Sequence, residues 1–416
     1  MRVLLVGAGA REHALAWKIA RSPLLTSLTM LPGNPGMASF GDTVEGVSPT
    51  DVGAIAAMAS AQRIDLAVIG PEAPLAAGVV DVLDRSGVPA FGPTRTAARL
   101  ESSKSFAKDV MTRAGVPTAA AEVFEDPDGA HRHLDLSEGP YVVKADGLAA
   151  GKGVLVTTSR SEAASWVDHC FDGGFGAAGT RVVIEEFLDG PELSVFAICD
   201  GERYLTLQSA RDYKRLEDGD RGPNTGGMGS YSPVDLPSTL IPGIEREVIE
   251  PTIRTMAEDG HPYRGFLYVG LALTAAGAKV IEFNCRLGDP ETQVVLPRLD
   301  SDLLPVLASG AAGDVGGIEL AWSDDATVNV VLAAAGYPDA PRRGDPISGL
   351  DSLPDDVTVF HAGTGLDGGR PVTAGGRILS VVGRGPDVAT ARSVAYEGVG
   401  RISFRGMRYR SDIAAM

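Results

Sequence analysis

A glycine-rich stretch near the middle of the chain has the residue types that bind phosphate. Lys144 ends a short apolar run, and the small residues after it include Gly147, Gly151 and Gly153 before a strand pattern resumes at Val154. Small side chains let backbone N–H groups approach an anion closely, and a lysine supplies the counter-charge. The stretch therefore predicts a hairpin that covers the phosphates of a nucleotide. The alternative is an ordinary glycine-rich surface hairpin.

A second group of polar residues lies on a predicted strand at residues 279–284. Alternate side chains of a strand face opposite sides of its sheet. The side chains predicted to face the core are Ile281, Phe283 and Cys285. The side chains predicted to share the other face are Glu282, Asn284 and Arg286. Carboxylate and amide oxygens suit Mg²⁺, and a guanidinium beside them suits a carboxylate or phosphate. The alternative is a half-exposed strand with a polar outer face.

The N-terminal turn at residues 7–13 could hold a phosphate or a sugar. Gly7 and Gly9 resemble part of a dinucleotide fingerprint, but Glu12 stands where the third glycine would be. Arg11, at the start of the predicted helix, favours an anion at that helix N-terminus. We therefore favour phosphate or sugar binding over a dinucleotide cofactor. The alternative is a tight turn with a solvated Arg11.

Three further segments are weaker candidates. Lys104 and Lys108 are four residues apart and share a predicted helix face, although solvated surface lysines are the alternative. An apolar strand ends in Glu185 and Glu186, which could offer backbone groups to a base and a carboxylate to ribose hydroxyls, unless both acids are solvated. Residues 210–233 predict a long polar loop that closes over a ligand, with a disordered insertion as the alternative.

The elements that must position these residues change along the chain. Residues 1–100 alternate short apolar strands with helical patterns, which indicates a doubly wound parallel sheet with ligands at the carboxyl ends of its strands. Residues 118–200 predict a small α/β unit around the glycine-rich hairpin, and residues 265–284 predict two paired strands. From about residue 327, short strands separated by Gly and Pro turns predict a separate small domain.

Composition limits the class of function. The chain has 37 Lys and Arg against 54 Asp and Glu, a net charge of −17, which argues against a nucleic-acid or anionic-membrane surface. Its three cysteines form no closely spaced pair, and its six histidines show no ligand spacing, so neither a disulfide framework nor a zinc site is expected. No apolar stretch approaches the ~20 residues of a membrane span. We expect a cytoplasmic protein.

Taken together, these motifs resemble the ATP-grasp superfamily and, within it, the phosphoribosylamine–glycine ligase family. The matching segments run nearly end to end, and their order makes the resemblance specific. They are Gly9–Trp17, Pro32–Asn34, Gly70–Leu75, Val143–Gly153, Ile184–Gly190, Gly222–Tyr231, Ile281–Thr292 and His361–Thr364.

The resemblance implies an α/β and α+β multidomain fold. Its parts would be an N-terminal doubly wound parallel domain at 1–100, an ATP-grasp domain at 101–325 with a lid at about 118–190, and a C-terminal α+β cap at 326–416. It also implies ATP-driven ligation of glycine to 5-phospho-D-ribosylamine through a glycyl phosphate, with Mg²⁺ or Mn²⁺, by a monomer or weak homodimer that binds neither nucleic acid nor membranes. The alternatives are another ATP-grasp carboxylate–amine ligase and a non-catalytic nucleotide-binding protein.

The resemblance implies roles for single residues as well. Those implied for ATP are Lys104, Lys144, Gly147, Gly151, Lys152, Gly153, Glu185, Glu186, Phe187, Leu188 and Glu192, and those implied for the metal are Glu282 and Asn284. Those implied for catalysis are Lys214, near the transferred phosphoryl group, and Asp212 and Arg286, for the glycine ammonium and carboxylate. Those implied for phosphoribosylamine are Gly9, Arg11, Glu12, Asn34, Pro71 and Glu72. One departure is the strand at 266–273, which lacks the extra metal-binding acid of many ATP-grasp enzymes.

Overall fold

The computed structural model describes residues 1–149 and 152–415. Its strands up to residue 212 are β1 Arg2–Gly7, β2 Ser27–Pro32, β3 Asp42–Thr43, β4 Leu66–Ile69, β5 Ala90–Phe91, β6 Ala121–Phe124, β7 Tyr141–Ala145, β8 Val154–Thr157, β9 Val182–Glu186, β10 Glu192–Asp200, β11 Tyr204–Thr206 and β12 Arg211–Asp212. The later strands are β13 Arg215–Glu217, β14 Arg221–Asn224, β15 Gly229–Ser232, β16 Arg264–Thr274, β17 Gly277–Asn284, β18 Ala326–Ala333, β19 Val357–His361, β20 Thr364–Asp367, β21 Arg370–Thr373 and β22 Arg377–Gly385.

The helices are short and connect or cover these strands. They are α1 Ala10–Ile19, α2 Val52–Ala61, α3 Glu72–Ala77, α4 Val79–Arg85, α5 Arg99–Ser102, α6 Lys104–Ala114, α7 Pro127–Leu136, α8 Arg160–His169, α9 Leu240–Ile244, α10 Glu250–Glu258, α11 Thr292–Val295, α12 Leu303–Ala312 and α13 Val388–Arg401. Within the described part of the chain, no helix combines the length and the apolar character needed to cross a bilayer.

The N-terminal part is a parallel sheet in the order β3-β2-β1-β4-β5, which confirms the predicted doubly wound sheet. The central strands β1 and β4 are apolar and buried because both faces of the sheet are covered. They are neighbours, so the turns that follow them lie side by side at the carboxyl edge. The helical segment after β4 is divided at Gly78, which has a φ of 87° and separates α3 from α4.

The glycine-rich hairpin belongs to an antiparallel sheet in the order β6-β9-β7-β8. Strand β7 pairs with β8 as predicted, and Lys144 lies opposite Val154. Helices α7 and α8 pack beside the sheet. Their shared core, which includes Val143, Val167 and Ile184, is a cluster distinct from those of the rest of the molecule. This part of the chain is therefore a unit with its own small core, called the hairpin unit below.

A second antiparallel sheet has the order β11-β10-β16-β17 and carries the predicted strand at 279–284. Glu282 lies opposite Gly270, but Val280 lies opposite Leu271, so the strand has a bulge at Ile281. The predicted alternation is wrong at that point. Val280 is fully buried in the core, whereas Ile281 lies in the bulge and is only half-buried. After the bulge the predicted alternation holds, because Phe283 and Cys285 are buried in the core.

A third sheet joins two distant segments of the chain in the order β12-β15-β18-β22-β19, and α13 packs against β18 and β22. Strands β12 and β15 come from residues 210–233, which the sequence predicted to be an irregular loop. That prediction is wrong, because these strands pair with each other and β15 pairs with β18. The same segment also forms the hairpin β13-β14. Such short strands depend on a distant partner rather than on local pattern.

Candidate active site

A polar cleft of about 340 Å³ lies between the N-terminal sheet, α6, the hairpin unit and β17. The predicted site residues that line it are Arg11, Glu72, Lys104, Lys144, Gly153, Glu185, Glu282, Asn284 and Arg286. They come from six separate parts of the chain, and the fold brings them to one place. Gly151 lies outside the described residues.

Glu185 sits between two lysines at the floor of the cleft. Its Oε2 is 2.8 Å from Lys144 Nζ and its Oε1 is 3.4 Å from Lys108 Nζ. Lys144 also donates to the carbonyl of Ile281 at 3.1 Å, which links the hairpin unit to the bulge in β17. All three charged side chains are buried, so water screens their attraction weakly. The arrangement places paired positive charge along one wall of the cleft.

The carboxylate and amide predicted for the metal lie together on β17. Asn284 Nδ2 is 3.5 Å from Glu282 Oε1, and Arg286 Nη2 donates to Asn284 Oδ1 at 3.3 Å. Burial alone would raise the pKa of Glu282, but the charges of Lys214, Lys144 and other nearby cations lower it. Glu282 is therefore an ionised carboxylate.

Arg286 lies just after β17 and is held by two acids from other parts of the chain. Its Nη2 is 2.9 Å from Glu101 Oε1, and its Nε is 3.5 Å from Glu72 Oε2. Burial would lower the pKa of Arg286, but Glu101, Glu72 and Glu282 together raise it. Glu101 also accepts from the backbone N–H of Cys285 at 2.7 Å. This guanidinium is fixed in position and permanently charged.

The base of the glycine-rich hairpin is tied to helix α6. Asp146 accepts from the backbone N–H of Ser105 at 2.6 Å and pairs with Arg181 at 2.7 Å. Lys104 Nζ donates to the carbonyl of Gly147 at 3.4 Å. Burial lowers the pKa of Lys104, while Glu282 acts against that shift. The hairpin and the lysine predicted for phosphate therefore share one anchor.

The remaining residues predicted for ATP lie around the cleft or away from it. Lys152 is exposed. Glu186 is paired with Lys279 at 2.7 Å on the surface. Phe187 has 43% of its surface exposed, and Leu188 is half-buried. With Glu185, residues Glu186 and Phe187 border an adjoining cavity of about 400 Å³ that lies against β6, β9 and the segment before β7.

Asp212, Lys214 and Glu192 line a neighbouring pocket of about 530 Å³ rather than the main cleft. Lys214 Nζ forms an ion pair with Glu192 Oε2. Burial raises the pKa of Asp212 to about 8, and Glu291 adds to that shift while Lys214 opposes it. Lys214 is also near enough to Glu282 to lower the pKa of that carboxylate, so this group adjoins the residues predicted for the metal.

Glu291 is a buried acid behind this group. Its Oε1 accepts from the hydroxyl of Ser194 at 3.0 Å, and Ser194 Oγ lies 3.0 Å from the hydroxyl of Tyr268. Burial raises the pKa of Glu291. Glu291 therefore disfavours the charged form of Asp212, as one carboxylate does for another close to it.

The N-terminal turn is organised by Glu12. Its Oε2 accepts from the backbone N–H of Gly9 at 2.7 Å, and its Oε1 accepts from Arg11 Nε at 2.6 Å. A Cβ on Gly7, where φ is 132°, would lie 2.3 Å from Glu12 Cγ, so only glycine fits there. Pro71 caps α3 next to this turn. Glu12 thus occupies the space that would be empty if the third glycine of a dinucleotide fingerprint stood at this position.

Asn34 joins the N-terminal turn to the C-terminal part of the molecule. Its Nδ2 donates to the carbonyls of Ala8 and His361, both at 2.8 Å, and its Oδ1 accepts from the backbone N–H of Gly36 at 3.0 Å. Both of its donor positions are therefore used within the protein. Asn34 would therefore help ligand binding by positioning the turn and not by donating a hydrogen bond to the ligand.

Four charged residues of the site were not assigned from sequence, namely Glu101, Lys108, Asp289 and Arg377. Lys108 had a weak signal in its spacing from Lys104. Asp289 lay inside the matching segment that ends at Thr292. Glu101 and Arg377 had no local signal, because they reach the cleft only through the packing of distant elements.

The donor set fits a divalent cation that shares its coordination with phosphate. An ionised carboxylate and an amide are hard oxygen donors, and Mg²⁺ takes few protein ligands plus waters and substrate phosphates. Within residues 1–149 and 152–415 no cluster of three or more acidic, histidine or cysteine side chains is arranged to hold a metal. A cation here would therefore depend on phosphate oxygens, beside lysines and arginines that bind anions.

Comparison with known proteins agrees with this geometry. Residues 1–101, 102–292 and 327–416 match the N domain, the ATP-grasp (A) domain and the C domain of phosphoribosylglycinamide synthetase, respectively. The phosphoribosylamine–glycine ligase of Phenylobacterium zucineum (strain HLK1) is 52% identical over 417 residues, which cover 99% of this chain and 98% of that protein.

Solved structures extend the comparison to the fold. The crystal structure of phosphoribosylamine–glycine ligase from Thermotoga maritima matches this chain with a TM-score of 0.88 and 38% sequence identity. The match covers 99% of this chain and 100% of that one. The biotin carboxylase domain of the Hydrogenobacter thermophilus 2-oxoglutarate carboxylase, solved with magnesium ADP, has a TM-score of 0.75 over 98% of this chain and 91% of that one. At 18% identity, this second likeness shows the ATP-grasp fold alone. The chain belongs to the phosphoribosylglycinamide synthetase family.

Proposed function

We propose that the chain joins glycine to 5-phospho-D-ribosylamine, forming glycinamide ribonucleotide, ADP and phosphate, which is a step of purine biosynthesis. The observation that carries this proposal is the cleft itself. Three lysines, an ionised carboxylate beside an amide, and a fixed arginine converge there in a chain of this family. No nucleophilic side chain is needed, because positioning and charge neutralisation are what phosphoryl transfer requires.

The reaction has two steps that balance in atoms and charge. A carboxylate oxygen of glycine attacks the γ-phosphorus of ATP, the bond to the β–γ bridging oxygen breaks, and ADP leaves as glycyl phosphate forms. The amine nitrogen of phosphoribosylamine then attacks the carbonyl carbon, the bond from that carbon to the phosphate oxygen breaks, and the nitrogen gives up one proton. Acyl phosphates hydrolyse readily, so the hairpin unit should exclude water when it closes.

We assign each residue a role in substrate binding or catalysis according to its position. We assign Lys104, Lys144 and residues 147–153 to the phosphates of ATP, and the segment from Glu185 to Glu192 to its adenosine. Lys214 is assigned to the transferred phosphoryl group, and Asp212 and Arg286 to the ammonium and carboxylate of glycine. The turns around Gly9, Arg11, Glu12, Asn34, Pro71 and Glu72 are assigned to phosphoribosylamine.

Glu282 and Asn284 would hold the divalent cation, for which we propose Mg²⁺ or Mn²⁺. When bound, the cation would neutralise charge on the phosphates. The lowered pKa of Glu282 supports this role, because a metal ligand must be ionised. Lys104, Lys144 and Lys214 supply further positive charge whether or not a cation is present.

We also propose the organisation and setting of the enzyme. Its domains would be 1–100, 101–325 with the lid at about 118–190, and 326–416. It would act in the cytoplasm as a monomer or weak homodimer, with no nucleic-acid or membrane partner. The net charge of −17 supports the last point.

The test is an assay of ADP formation with each substrate omitted in turn. Phosphoribosylamine can be generated in the assay from ribose 5-phosphate and ammonia. We expect turnover only when ATP, glycine and phosphoribosylamine are all present, and glycinamide ribonucleotide as the product by mass spectrometry. Equal turnover with bicarbonate or D-alanine in place of glycine would identify a different ATP-grasp ligase.

A further inference from the structure

Three distant parts of the chain meet beside the N-terminal turn. Asp289 follows β17, Arg377 begins β22 in the C-terminal sheet, and Gly9 precedes α1. Arg377 Nη2 is 3.0 Å from Asp289 Oδ2, and a Cβ on Gly9 would lie 3.7 Å from the same oxygen. Among the described residues that line the cleft, Arg377 is the one that comes from residues 327–416.

The Asp289 carboxylate is fixed and still open to the cleft. Gln293 Nε2 donates to its Oδ1 at 2.8 Å, while Arg377 holds its Oδ2. Arg377 in turn donates to the carbonyls of Gly226 and Asp289, the latter at 2.9 Å. An ionised carboxylate can accept about four hydrogen bonds, so each oxygen keeps accepting capacity. The side chain is 17% exposed and lines the cleft.

The chemistry of a carboxylate limits what it can bind here. It only accepts hydrogen bonds and repels phosphate and glycine carboxylate groups, so its ligand must be a donor. The adenosine is assigned to the segment from Glu185 to Glu192 and the glycine ammonium to Asp212. Phosphoribosylamine has two kinds of donor, its amine and its ribose hydroxyls. The amine must reach the carbonyl carbon of glycyl phosphate, and the glycine part of that molecule is assigned to Asp212 and Arg286. The donors that remain next to Gly9 are therefore the ribose hydroxyls.

We infer that Asp289 binds a ribose hydroxyl of phosphoribosylamine and that Arg377 is a positioning residue that holds it. The inference rests on the proposed function and adds a substrate contact to it. It also gives the C-terminal sheet a direct part in the site, because Arg377 brings charge from β22 to the edge of the N-terminal turn.

The first test compares Asp289→Asn with the unaltered enzyme. The expected result is an increase of about tenfold or more in KM for phosphoribosylamine, since hydrogen bonds to charged groups are the stronger ones. KM for ATP and for glycine should change by less than about twofold. Arg377→Lys should raise the same KM by a smaller factor, because lysine keeps the charge but not the fork geometry. An unchanged KM for phosphoribosylamine in both variants would overturn the inference.

The second test separates contact from structure. Binding of glycinamide ribonucleotide, and of its 2′-deoxy and 3′-deoxy analogues, is measured by calorimetry. The unaltered enzyme should bind one deoxy analogue about tenfold or more weakly than the ribo compound, and Asp289→Asn should lose that preference, as a double-mutant cycle requires for a direct contact. An equal preference in both proteins would refute the contact.

A matched control comes from the same strand. Arg384 of β22 pairs with Asp325 at 2.7 Å away from the cleft, so Arg384→Lys should leave all three KM values unchanged. If Asp289→Asn does not fold, as judged by its melting temperature and ATP affinity, Arg377→Lys alone decides the inference. If the unaltered enzyme makes no glycinamide ribonucleotide, the proposed function fails; if it does and the variants behave normally, only this inference fails.

Discussion

At the scale of single residues, the charged groups of the site are paired with one another in the structure described here. Glu185 lies between Lys144 and Lys108, and Arg286 lies between Glu101 and Glu72. Buried pairs of this kind are costly to break from one side, because the remaining partner keeps an uncompensated charge. Under the proposed function, ATP would enter a site whose lysines are already placed, and its phosphates would extend an existing charge network.

The carboxylate pair Asp212 and Glu291 predicts a pH dependence for glycine. Asp212 must be ionised to bind an ammonium group, and its pKa is about 8, so kcat/KM for glycine should rise as pH rises through that value. Glu291→Gln removes a like charge, lowers the pKa of Asp212 and should move the rise to lower pH. The measurement is kcat/KM for glycine between about pH 6 and 9 at saturating ATP. Identical midpoints in both proteins would contradict the coupling.

Glu282 predicts a metal requirement. Glu282→Gln removes the ionised ligand while keeping size, so we expect a loss of about 10²-fold or more in kcat and a higher Mg²⁺ concentration for half-maximal activity. Titration of ADP formation with Mg²⁺ and with Mn²⁺ measures both. The exposed acid Glu258 gives the control, since Glu258→Gln should leave the titration unchanged. A normal Mg²⁺ titration in Glu282→Gln would remove Glu282 from the metal site.

The charged site residues that were predicted from the sequence lie in recognisable local patterns. Lys144 ended a strand before glycines, and Glu282 and Asn284 alternated along another strand, so spacing alone placed them on a common face. Glu101 and Arg377 could not be found in this way. Each reaches the cleft through packing between elements that are far apart in the chain, and no local periodicity of the sequence predicts such contacts.

At the scale of elements, the glycine-rich hairpin is anchored at one end by close packing. Gly147 donates its backbone N–H to the carbonyl of Ala178 at 3.2 Å, and a Cβ on Gly147 would lie 2.7 Å from Ala178 Cβ. Side chains larger than hydrogen at this position must therefore displace either the hairpin or residues 176–179. The base of the hairpin is therefore packed directly against the turn after α8.

This packing predicts the effect of Gly147→Ala. Overpacking typically costs about 1–3 kcal/mol, so we expect ATP to bind about tenfold more weakly as the hairpin shifts from its anchor. Fluorescence or calorimetric titration with a non-hydrolysable ATP analogue measures it. Gly400→Ala is the control, because a Cβ there meets no atom within 4 Å. Equal ATP affinity in Gly147→Ala and the unaltered enzyme would show that the hairpin does not depend on this contact.

The elements themselves were predicted well where pattern is local. The hairpin of β7 and β8 and the pair β16 and β17 both appear where strand periodicity and glycine turns indicated. The bulge at Ile281 was not predicted. A bulge places two residues of one strand opposite one residue of the neighbouring strand, so it depends on how the strands pair and not on the sequence pattern of either strand. Residues 210–233 were misread for a similar reason, since their strands form only against β18.

At the scale of the whole molecule, two histidines join the first and last parts of the chain. The backbone N–H of His361 donates to His13 Nδ1 at 2.8 Å, and His13 stacks edge-on against Phe360 with ring centroids 5.4 Å apart. Burial lowers the pKa of His13 to about 3 and that of His361 to about 4. Both imidazoles are therefore neutral at neutral pH, and their contact needs no charge.

The histidine contact predicts acid sensitivity. Unfolded histidines bind protons below about pH 6.5, whereas His13 in the folded protein does not until about pH 3. Stability should therefore fall as pH decreases between these values, by up to about 1.4 kcal/mol per pH unit for each histidine. His13→Asn keeps an acceptor for His361 without titrating, so its free energy of unfolding should depend less on pH. Denaturant unfolding at several pH values measures this.

The control for that prediction loosens the same contact without removing a titrating group. Phe360→Leu should lower the free energy of unfolding by a similar amount at every pH, because it removes buried aromatic contact only. The interpretation fails if His13→Asn and the unaltered enzyme show the same slope of stability against pH.

The sheet that combines β15 with β18 sets an order of events during synthesis on the ribosome. Strand β15 ends at Ser232, and its partner β18 begins only at Ala326. At about 5–20 residues per second, the partner emerges roughly 5–20 s after β15 does. Until then β15 and β12 have an open edge, the kind of surface that pairs wrongly with other chains. Slow codons placed between these two strands should therefore lower the soluble yield of the protein without altering its sequence.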